Sequence, residues 1–212
     1  MNVKLQWATP DIDKQIMFQA RVSNPDGQAN GNSRLLFYCM EHGHTSPFEM
    51  ANVCLEINTP RDIGRQILRH LSFSFQEFSQ RYADVSMLPE MELRECRLQD
   101  TKNRQNSVQL RPDHELHDVW MELQMRVAQE ARDCYKEALE FGIAKEQARA
   151  LLPEGLTPSR MYMNGNMRSW IFYLKQRLDP STQKEHRDIA QQVLAILRTV
   201  APITMQAFFG EA

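Results

Sequence analysis

The sequence predicts an α/β (α+β) protein in which many helices flank a small, mostly antiparallel sheet, with a helix-rich C-terminal half. Apolar and polar residues alternate at 3–8 and at 51–58, which is the period of a half-buried strand. Longer segments repeat apolar residues every three or four positions, as amphipathic helices do. These helical segments are 113–141, 167–178 and 182–200.

Shorter elements are predicted between these segments. Thr9 and Pro10 are expected to start a helix that runs to about Val22. Further short helices are expected at about 34–41, from Thr59 to His70, and at 144–152. The segments 74–82, 91–98 and 161–164 are expected to be extended, and the polar segment 99–112 to be an exposed loop.

Composition narrows the classes of protein. The chain has 212 residues and a net charge of -2, so we expect one domain over 1–212 without a nucleic-acid or membrane surface. Its four cysteines form no C-x-x-C pair, which predicts free thiols, no metal site and a cytoplasmic location. Acidic residues near the N-terminus interrupt any signal-peptide pattern.

Cationic and titratable residues lie within an apolar segment at 66–82. Arg69, His70 and Arg81 stand among residues whose types predict burial, namely Ile67, Leu68, Leu71, Phe73, Phe75 and Phe78. A buried cation costs free energy unless it is paired or bound to a ligand. The segment therefore predicts a pocket for an anionic ligand such as a phosphate. The alternative is that these arginines form ion pairs within the protein, with Glu77, Glu56 or Asp84 as partners.

Two motifs carry a resemblance to a known family. Arg69-His70-Leu71 is followed, after seven residues, by Ser79-Gln80-Arg81-Tyr82. The segment G-H-T-S-P-F-E-M occupies 43–50. Both resemble signature blocks of the flavin-dependent thymidylate synthases. Further matching blocks follow the family's order. They are Ala20-Arg21-Val22-Ser23, Arg149-Ala150-Leu151-Leu152-Pro153, and Asn166-Met167-Arg168-Ser169 with Arg177-Leu178.

The resemblance implies an enzyme that adds a one-carbon unit to C5 of dUMP. It implies hydride delivery from reduced FAD, with methylenetetrahydrofolate as carbon donor and NADPH as reductant. It also implies a homotetramer with active sites shared between subunits. None of the cysteines occupies a motif position, so none is assigned as a nucleophile.

Site residues are carried over from the matching blocks. Arg177 is implied to be catalytic, stabilising negative charge on the pyrimidine ring. The residues implied to bind dUMP are Gln66, Arg69, Glu77, Ser79, Gln80, Arg81, Arg149 and Arg177. The residues implied to bind FAD are Ser23, Ser46, Glu49, Arg69, His70, Leu71, Glu77, Asn166, Arg168 and Phe172. Taken singly, each also has an ordinary structural role, such as a core histidine at His70 or a helix-end cation at Arg177.

Three of the chain's departures from the family pattern bear on the cofactor and substrate site. Leu71 stands where the family usually has a second Arg, Phe172 where it has His or Asn, and Met50 where it has His. These departures leave two alternatives open. One is a pyrimidine-nucleotide hydroxymethyltransferase that uses the same cofactors. The other is a non-catalytic helical binding protein that retains the fold.

Overall fold

A computed structural model describes residues 1–211 of the chain. The strands are β1 (Asn2–Ala8), β2 (Asn52–Pro60), β3 (Ser74–Glu77), β4 (Arg97–Gln99), β5 (Ser107–Gln109) and β6 (Pro158–Asn166). The α-helices are α1 (Ile12–Ala20), α2 (Arg34–Glu41), α3 (Arg61–Ile67), α4 (Leu116–Glu140), α5 (Lys145–Ala148), α6 (Met167–Arg177), α7 (Lys184–Val200) and α8 (Pro202–Phe209). Short 3-10 helices occupy Pro25–Gly27, Ser46–Met50, Val85–Met87 and Arg149–Leu151.

The strands form one larger sheet and one hairpin. The larger sheet has four antiparallel strands in the order β1-β2-β6-β3. The hairpin pairs β4 with β5 antiparallel, with Leu98 opposite Val108. The predicted fold class, a small antiparallel sheet among many helices, is therefore confirmed.

The chain divides into two compact units. Unit 1 comprises Met1, Asn58–Arg69 and Glu77–Met161. Unit 2 comprises Asn2–Ile57, His70–Gln76 and the chain from Tyr162 onward. The expectation of a single domain over 1–212 stays a prediction.

Unit 2 contains most of the fully buried large side chains. The indole of Trp170 in α6 is fully buried, and its Nε1 donates to the carbonyl oxygen of Val53 (3.2 Å). The carbonyl oxygen of Ala51 accepts from the N–H of Met167, the first residue of α6 (2.9 Å). These bonds attach the start of α6 to β2, so the backbone fixes where the side chains of α6 point.

Gly165 allows an aromatic ring to approach the backbone of β6. A Cβ atom at this position would lie 2.4 Å from Cδ1 of Phe73. Phe73 in turn packs edge-to-face on Trp170, with 4.7 Å between the ring centroids. The absence of a side chain at 165 therefore gives Phe73 its place in the core.

Unit 1 has a smaller core beneath the long helix α4. Its buried members are Val85, Leu88, Tyr135, Ala138 and Ala148. Phe78, which lies between Glu77 and Ser79 of the sequence motif, packs against this cluster. The cluster therefore supports the segment that carries Ser79 and Arg81.

Several predicted boundaries were wrong. Helix α1 starts at Ile12 after Asp11, which has a left-handed backbone (φ 50°). Thr9, where the helix was expected to start, lies before it, and its hydroxyl accepts from the N–H of Asn52 (2.9 Å). The extended segment ends at Glu77, since the N–H groups of Tyr82 and Ala83 both bond to the carbonyl of Ser79 in a turn.

Other predictions failed where an element was missed or misplaced. The segment predicted as a strand at 91–98 is extended in a sheet only from Arg97, and the predicted loop 99–112 contains β5. Helix α8 was not predicted. Most of its residues are apolar, so its sequence lacks the alternation of apolar and polar faces that indicates a helix. Leu71 was expected to be buried, yet 93% of its surface is exposed, since it lies in a turn after α3.

Helix α4 buries only part of the face that its sequence predicts. The predicted stripe is Leu116, Val119, Leu123, Val127, Ala131, Cys134 and Ala138. Ala131 and Ala138 are buried as expected, whereas Val119, Leu123 and Val127 are each about half exposed. The residues that α4 buries are Gln124, Ala128, Ala131, Tyr135 and Ala138.

Candidate active site

Unit 1 contains a cavity of about 380 Å³ rich in arginine. Gln80 and Arg149, both predicted to bind nucleotide, line it together with Arg61 and Arg65 of α3. The carboxylates that line it are Glu146 and Glu154. Guanidinium groups at this density suit a phosphate, because each can donate two parallel hydrogen bonds to its oxygens.

The two carboxylates of the cavity lining each pair with an arginine, Arg65 of the lining and Arg81 of the sequence motif. Nε of Arg65 donates to Glu154 (2.8 Å), and Nε of Arg81 lies 3.4 Å from a carboxylate oxygen of Glu146. All of these side chains are about half exposed, and such ion pairs contribute only about 0 to 1 kcal/mol to stability. These weak pairs would cost little free energy to break if an anionic ligand bound there.

Gln80 is buried beside the cavity. Its side chain is 4% exposed, and its amide nitrogen makes no hydrogen bond within residues 1–211. An unsatisfied buried donor costs about 1–3 kcal/mol. A ligand with an acceptor oxygen would remove that cost, which supports the prediction that Gln80 contacts the nucleotide.

Glu77 is fixed by neighbours within unit 1. Its Oε1 accepts from the hydroxyl of Ser159 (2.8 Å) and lies 3.5 Å from Nη1 of Arg61. Ser159 is buried in β6, so this contact holds the carboxylate at the end of β3. Gln66 is half-buried in α3, whereas Arg69, just beyond α3, is exposed.

Arg177 and His70 form a hydrogen-bonded pair in unit 2. Nε of Arg177, at the end of α6, donates to Nε2 of His70 (2.9 Å). Arginine carries no acceptor, so Nε2 of His70 must be unprotonated. Burial, and secondarily the charge of Arg177, lower the pKa of His70 from 6.5 to about 4. His70 is consequently a neutral acceptor at pH 7.

A second group in unit 2 surrounds Arg168 near the start of α6. Its Nε donates to the hydroxyl of Thr45 (3.0 Å), and its Nη1 donates to Glu49 (3.1 Å). Its guanidinium carbon lies 5.3 Å from the centre of the Phe172 ring. The resemblance had assigned Ser46 to the flavin, but Thr45 is the hydroxyl that contacts Arg168. Ser46 is exposed at the start of its 3-10 helix.

Asn166 caps α6, since its Oδ1 accepts from the N–H of Ser169 (2.9 Å). The hydroxyl of Ser169 donates to the carbonyl of Ser72 (3.2 Å), one residue after Leu71. Ser23 is exposed in the turn after α1. These placements give Asn166 a structural role in addition to its predicted one.

The predicted residues divide between the units. The residues in unit 1 are Gln66, Arg69, Glu77, Ser79, Gln80, Arg81 and Arg149. The residues in unit 2 are Ser23, Ser46, Glu49, His70, Leu71, Asn166, Arg168, Phe172 and Arg177. Within unit 1 the arginine-rich cavity contains Gln80 and Arg149. Within unit 2 two groups are in contact, Arg177 with His70, and Arg168 with Glu49 and Phe172.

The motifs assigned no role to several residues that contact these groups. In unit 1 they are Arg61, Arg65 and Ser159, and in unit 2 they are Thr45, Tyr173 and His186. His186 had a usable signal, because it precedes Ile189 and Val193 at the spacing of one buried helix face. Arg61 and Arg65 also share a helix face, four residues apart.

Two features are absent from residues 1–211. No three His, Cys, Asp or Glu side chains are grouped to hold a metal ion among residues 1–211. Over the same described part of the chain, no helix is long and apolar enough to cross a bilayer.

Comparison with known proteins decides the family. The family described as "Thymidylate synthase complementing protein" matches residues 4–203. The chain belongs to this family. A "probable flavin-dependent thymidylate synthase" of Paramecium bursaria Chlorella virus 1 is 46% identical over 180 residues, covering 84% of this chain and 82% of the relative. A "flavin-dependent thymidylate synthase" of Synechocystis sp. is 49% identical over 176 residues, covering 82% and 79%.

A solved structure of similar fold agrees with the family assignment. The UMP/dUMP methylase PolB from Streptomyces cacaoi, bound with 5-Br dUMP, superposes with a TM-score of 0.83. It is 27% identical, and the match covers 98% of this chain and 93% of PolB. The family resemblance read from the motif blocks is therefore confirmed.

Proposed function

We propose that the protein is a flavin-dependent thymidylate synthase. It transfers a one-carbon unit from methylenetetrahydrofolate to C5 of dUMP, with NADPH as the reductant. Relatives of that name match most of the chain at 46% and 49% identity. The structural observation that carries the proposal is the hydrogen bond from Arg177 to a neutral His70. This bond holds the positively charged guanidinium of Arg177 in a fixed position. Because the His70 ring is uncharged, it does not neutralise the guanidinium, as a carboxylate partner would.

The nucleotide phosphate binds at the arginine-rich cavity of unit 1. Arg149 and Arg81 donate hydrogen bonds to it, and Ser79 and Gln80 complete its donors. Glu146 and Glu154 hold Arg81 and Arg65 until the phosphate arrives. Gln66, Arg69 and Glu77 fix the orientation of dUMP, and Ser159 holds the Glu77 carboxylate.

The residues present fit FAD. A dinucleotide carries a pyrophosphate and flat rings, and the Arg168 group offers a cation, the hydroxyl of Thr45 and the Phe172 ring. His70, Ser46 and Asn166 of the same unit add further polar groups, and the resemblance also assigns Ser23 and Arg69 to FAD. When bound, FAD supplies the hydride. Glu49 keeps Arg168 oriented.

Arg177 performs the electrostatic part of the reaction. Its guanidinium stabilises negative charge that develops on the pyrimidine ring. His70 accepts from Nε and so restricts rotation of the guanidinium plane. A guanidinium that is already oriented needs no reorganisation during the reaction, and preorganised charge is usually the largest contribution to such catalysis.

The enzyme acts in the cytoplasm as a homotetramer whose subunits share active sites. Two features support this proposal. The four cysteines are unpaired thiols, as is usual in a reducing compartment. On α4, the half-exposed side chains of Val119, Leu123 and Val127 form an apolar stripe that a second copy of the chain would cover.

A hydroxymethyltransferase acting on pyrimidine nucleotides is the second candidate. One observation favours it. Leu71 replaces the usual Arg of the family and is 93% exposed, so this position supplies no charge to a ligand. Loss of that charge changes how the carbon donor or the flavin is held.

The test is to incubate the purified protein with FAD, NADPH, methylenetetrahydrofolate and dUMP, and to identify the product by mass. Thymidylate supports the proposal. Hydroxymethyl-dUMP as the sole product moves the function to the second candidate. UMP serves as a parallel substrate, because PolB is named for both nucleotides. A protein that retains no flavin and gives no product excludes both functions.

A further inference from the structure

Four side chains of unit 2 form a connected group around Arg177. The His70 ring packs edge-to-face on Tyr173, with 4.9 Å between the ring centroids. The hydroxyl of Tyr173 lies 3.1 Å from Nε2 of His186. Tyr173 and Arg177 are one turn apart on α6, and His186 belongs to the first turns of α7. The group therefore connects α7 to Arg177 through two aromatic rings.

The two members of the group that lie farthest from Arg177 along these contacts, Tyr173 and His186, are both buried. His186 is 0% exposed and Tyr173 is 1% exposed. Burial, with smaller contributions from Arg177 and His70, lowers the pKa of His186 to about 3, and burial raises the pKa of Tyr173. The contact is thus a hydrogen bond between two neutral groups at pH 7.

Stability alone does not account for this pair. Apolar side chains of similar shape would fill the same space without the free-energy cost of removing polar groups from water. Phe73 and Trp170, which also pack against Tyr173, show that the surrounding core is aromatic. A hydrogen bond between the Tyr173 hydroxyl and the His186 imidazole, unlike apolar packing, fixes the orientation of both rings.

We propose that Tyr173 and His186 are positioning residues for the Arg177–His70 pair. The hydrogen bond to His186 fixes the plane of the Tyr173 ring. That ring fixes the His70 imidazole, whose Nε2 then holds Nε of Arg177. What this orientation does for catalysis rests on the proposed function, whereas the coupling itself is a structural property.

The first experiment uses crystal structures of variants of the full chain. His186→Leu and Tyr173→Phe each remove the hydrogen bond, while the terminal amide of His186→Gln can replace Nε2. We expect Nε of Arg177 to leave Nε2 of His70 in the first two variants and to stay in the third. An Arg177–His70 bond unchanged from 2.9 Å in both His186→Leu and Tyr173→Phe overturns the proposal.

The second experiment measures single-turnover reoxidation of the reduced, FAD-loaded enzyme by dUMP and methylenetetrahydrofolate. His186→Leu is expected to slow it about tenfold, because small displacements of a catalytic group reduce rates steeply. The dissociation constants of FAD and dUMP should stay within about twofold of wild type, and His186→Gln should recover most of the rate.

The matched control is Thr204→Val. The fully buried hydroxyl of Thr204 donates to Asp13 (2.6 Å), so this variant also loses a buried hydrogen bond within unit 2. It should lower the melting temperature and leave the rate unchanged. If Thr204→Val slows reoxidation as much as His186→Leu does, the effect is general destabilisation and the proposal is wrong.

A double-mutant cycle identifies the route of the effect. In an Arg177→Ala background, His186→Leu should cause no further slowing, because it acts through Arg177. An equal slowing with and without Arg177 contradicts the proposal. If the wild type itself gives no reoxidation, the proposed function fails, and the crystal structures still decide the coupling.

Discussion

Nε of Arg177 donates to Nε2 of His70 over 2.9 Å, and this bond joins the residue proposed for catalysis to a residue proposed for the flavin. It also determines the proton of His70, which must lie on Nδ1. The flavin and pyrimidine assignments are therefore linked through one side-chain pair within unit 2.

Arg177→Ala should slow the chemical step on the order of a hundredfold or more. The variant lacks the oriented positive charge that is proposed to stabilise negative charge on the pyrimidine ring. Arg177→Lys should recover little, since an ammonium cannot reproduce the planar fork. The measurement is single-turnover reoxidation of the reduced enzyme, with FAD binding expected to survive. Lys175→Ala, on the same helix, is the control and should react normally. Near-normal turnover in Arg177→Ala would remove Arg177 from the mechanism.

Arg149→Ala and Arg81→Ala should each weaken dUMP binding by about 1.5–3 kcal/mol, the range for hydrogen bonds to charged groups. Deoxyuridine lacks the phosphate, so wild type and variants should bind it alike. Calorimetric titration with both ligands measures the difference. Arg132→Ala removes an exposed cation of α4 and should leave both affinities unchanged. A variant that still discriminates dUMP from deoxyuridine as wild type does would exclude the phosphate role.

Arg168→Ala should weaken FAD binding by about 1.5–3 kcal/mol, because it removes a cation from the proposed flavin site. The readout is the flavin absorbance retained by the protein across an FAD titration. Lys14→Ala removes an exposed cation of α1 in the same unit and is the control. Equal FAD affinity in Arg168→Ala and wild type would show that Arg168 serves only its contacts with Thr45 and Glu49.

The protein should lose stability as the pH falls below about 6.5. The pKa of His70 is lowered to about 4 and that of His186 to about 3, so between these values and 6.5 the unfolded chain binds more protons than the folded one. Urea unfolding at several pH values measures this dependence. His186→Gln removes one of the two groups and should show a shallower loss. An identical pH dependence in the variant would mean that His186 does not titrate on unfolding.

Leu123→Lys should reduce the size of the assembly, because it places a charge in the apolar stripe of α4. Light scattering coupled to gel filtration gives the mass in solution. Glu122→Lys changes a neighbouring exposed residue of α4 and is the control. If both variants keep the mass of wild type, this stripe does not form the interface.

The sequence was most informative where local chemistry decides structure. Helix α6 was predicted at 167–178 and occupies Met167–Arg177, since Asn166 provides a side-chain cap at its start. Gln80 and Arg149, which the motifs assign to the nucleotide, line one cavity, while their binding of a phosphate stays a prediction. Helix caps and clusters of charged residues can be recognised in the sequence alone, because they depend on neighbouring residues and not on the tertiary fold.

The failures came from choices that tertiary packing makes. Helix α4 has two apolar faces, and only packing decides that Ala128 and Tyr135 are covered while Leu123 is not. Leu71 is apolar, but a turn directs it outward. Tyr173 and His186 belong to separate helices, so no local pattern could reveal their hydrogen bond. The motifs named individual residues, whereas the structure shows which of them are in contact.

The close approach of the Phe73 ring to Gly165 restricts which residues the protein can tolerate at position 165. Even the methyl group of alanine at 165 would overlap the Phe73 ring, so a saturation library at this position should retain glycine alone. A smaller residue at 73 would relieve the overlap, but it would also remove an aromatic neighbour of His70. On the proposed role of His70, a second-site change at 73 that restores folding to a Gly165 variant should still lower activity.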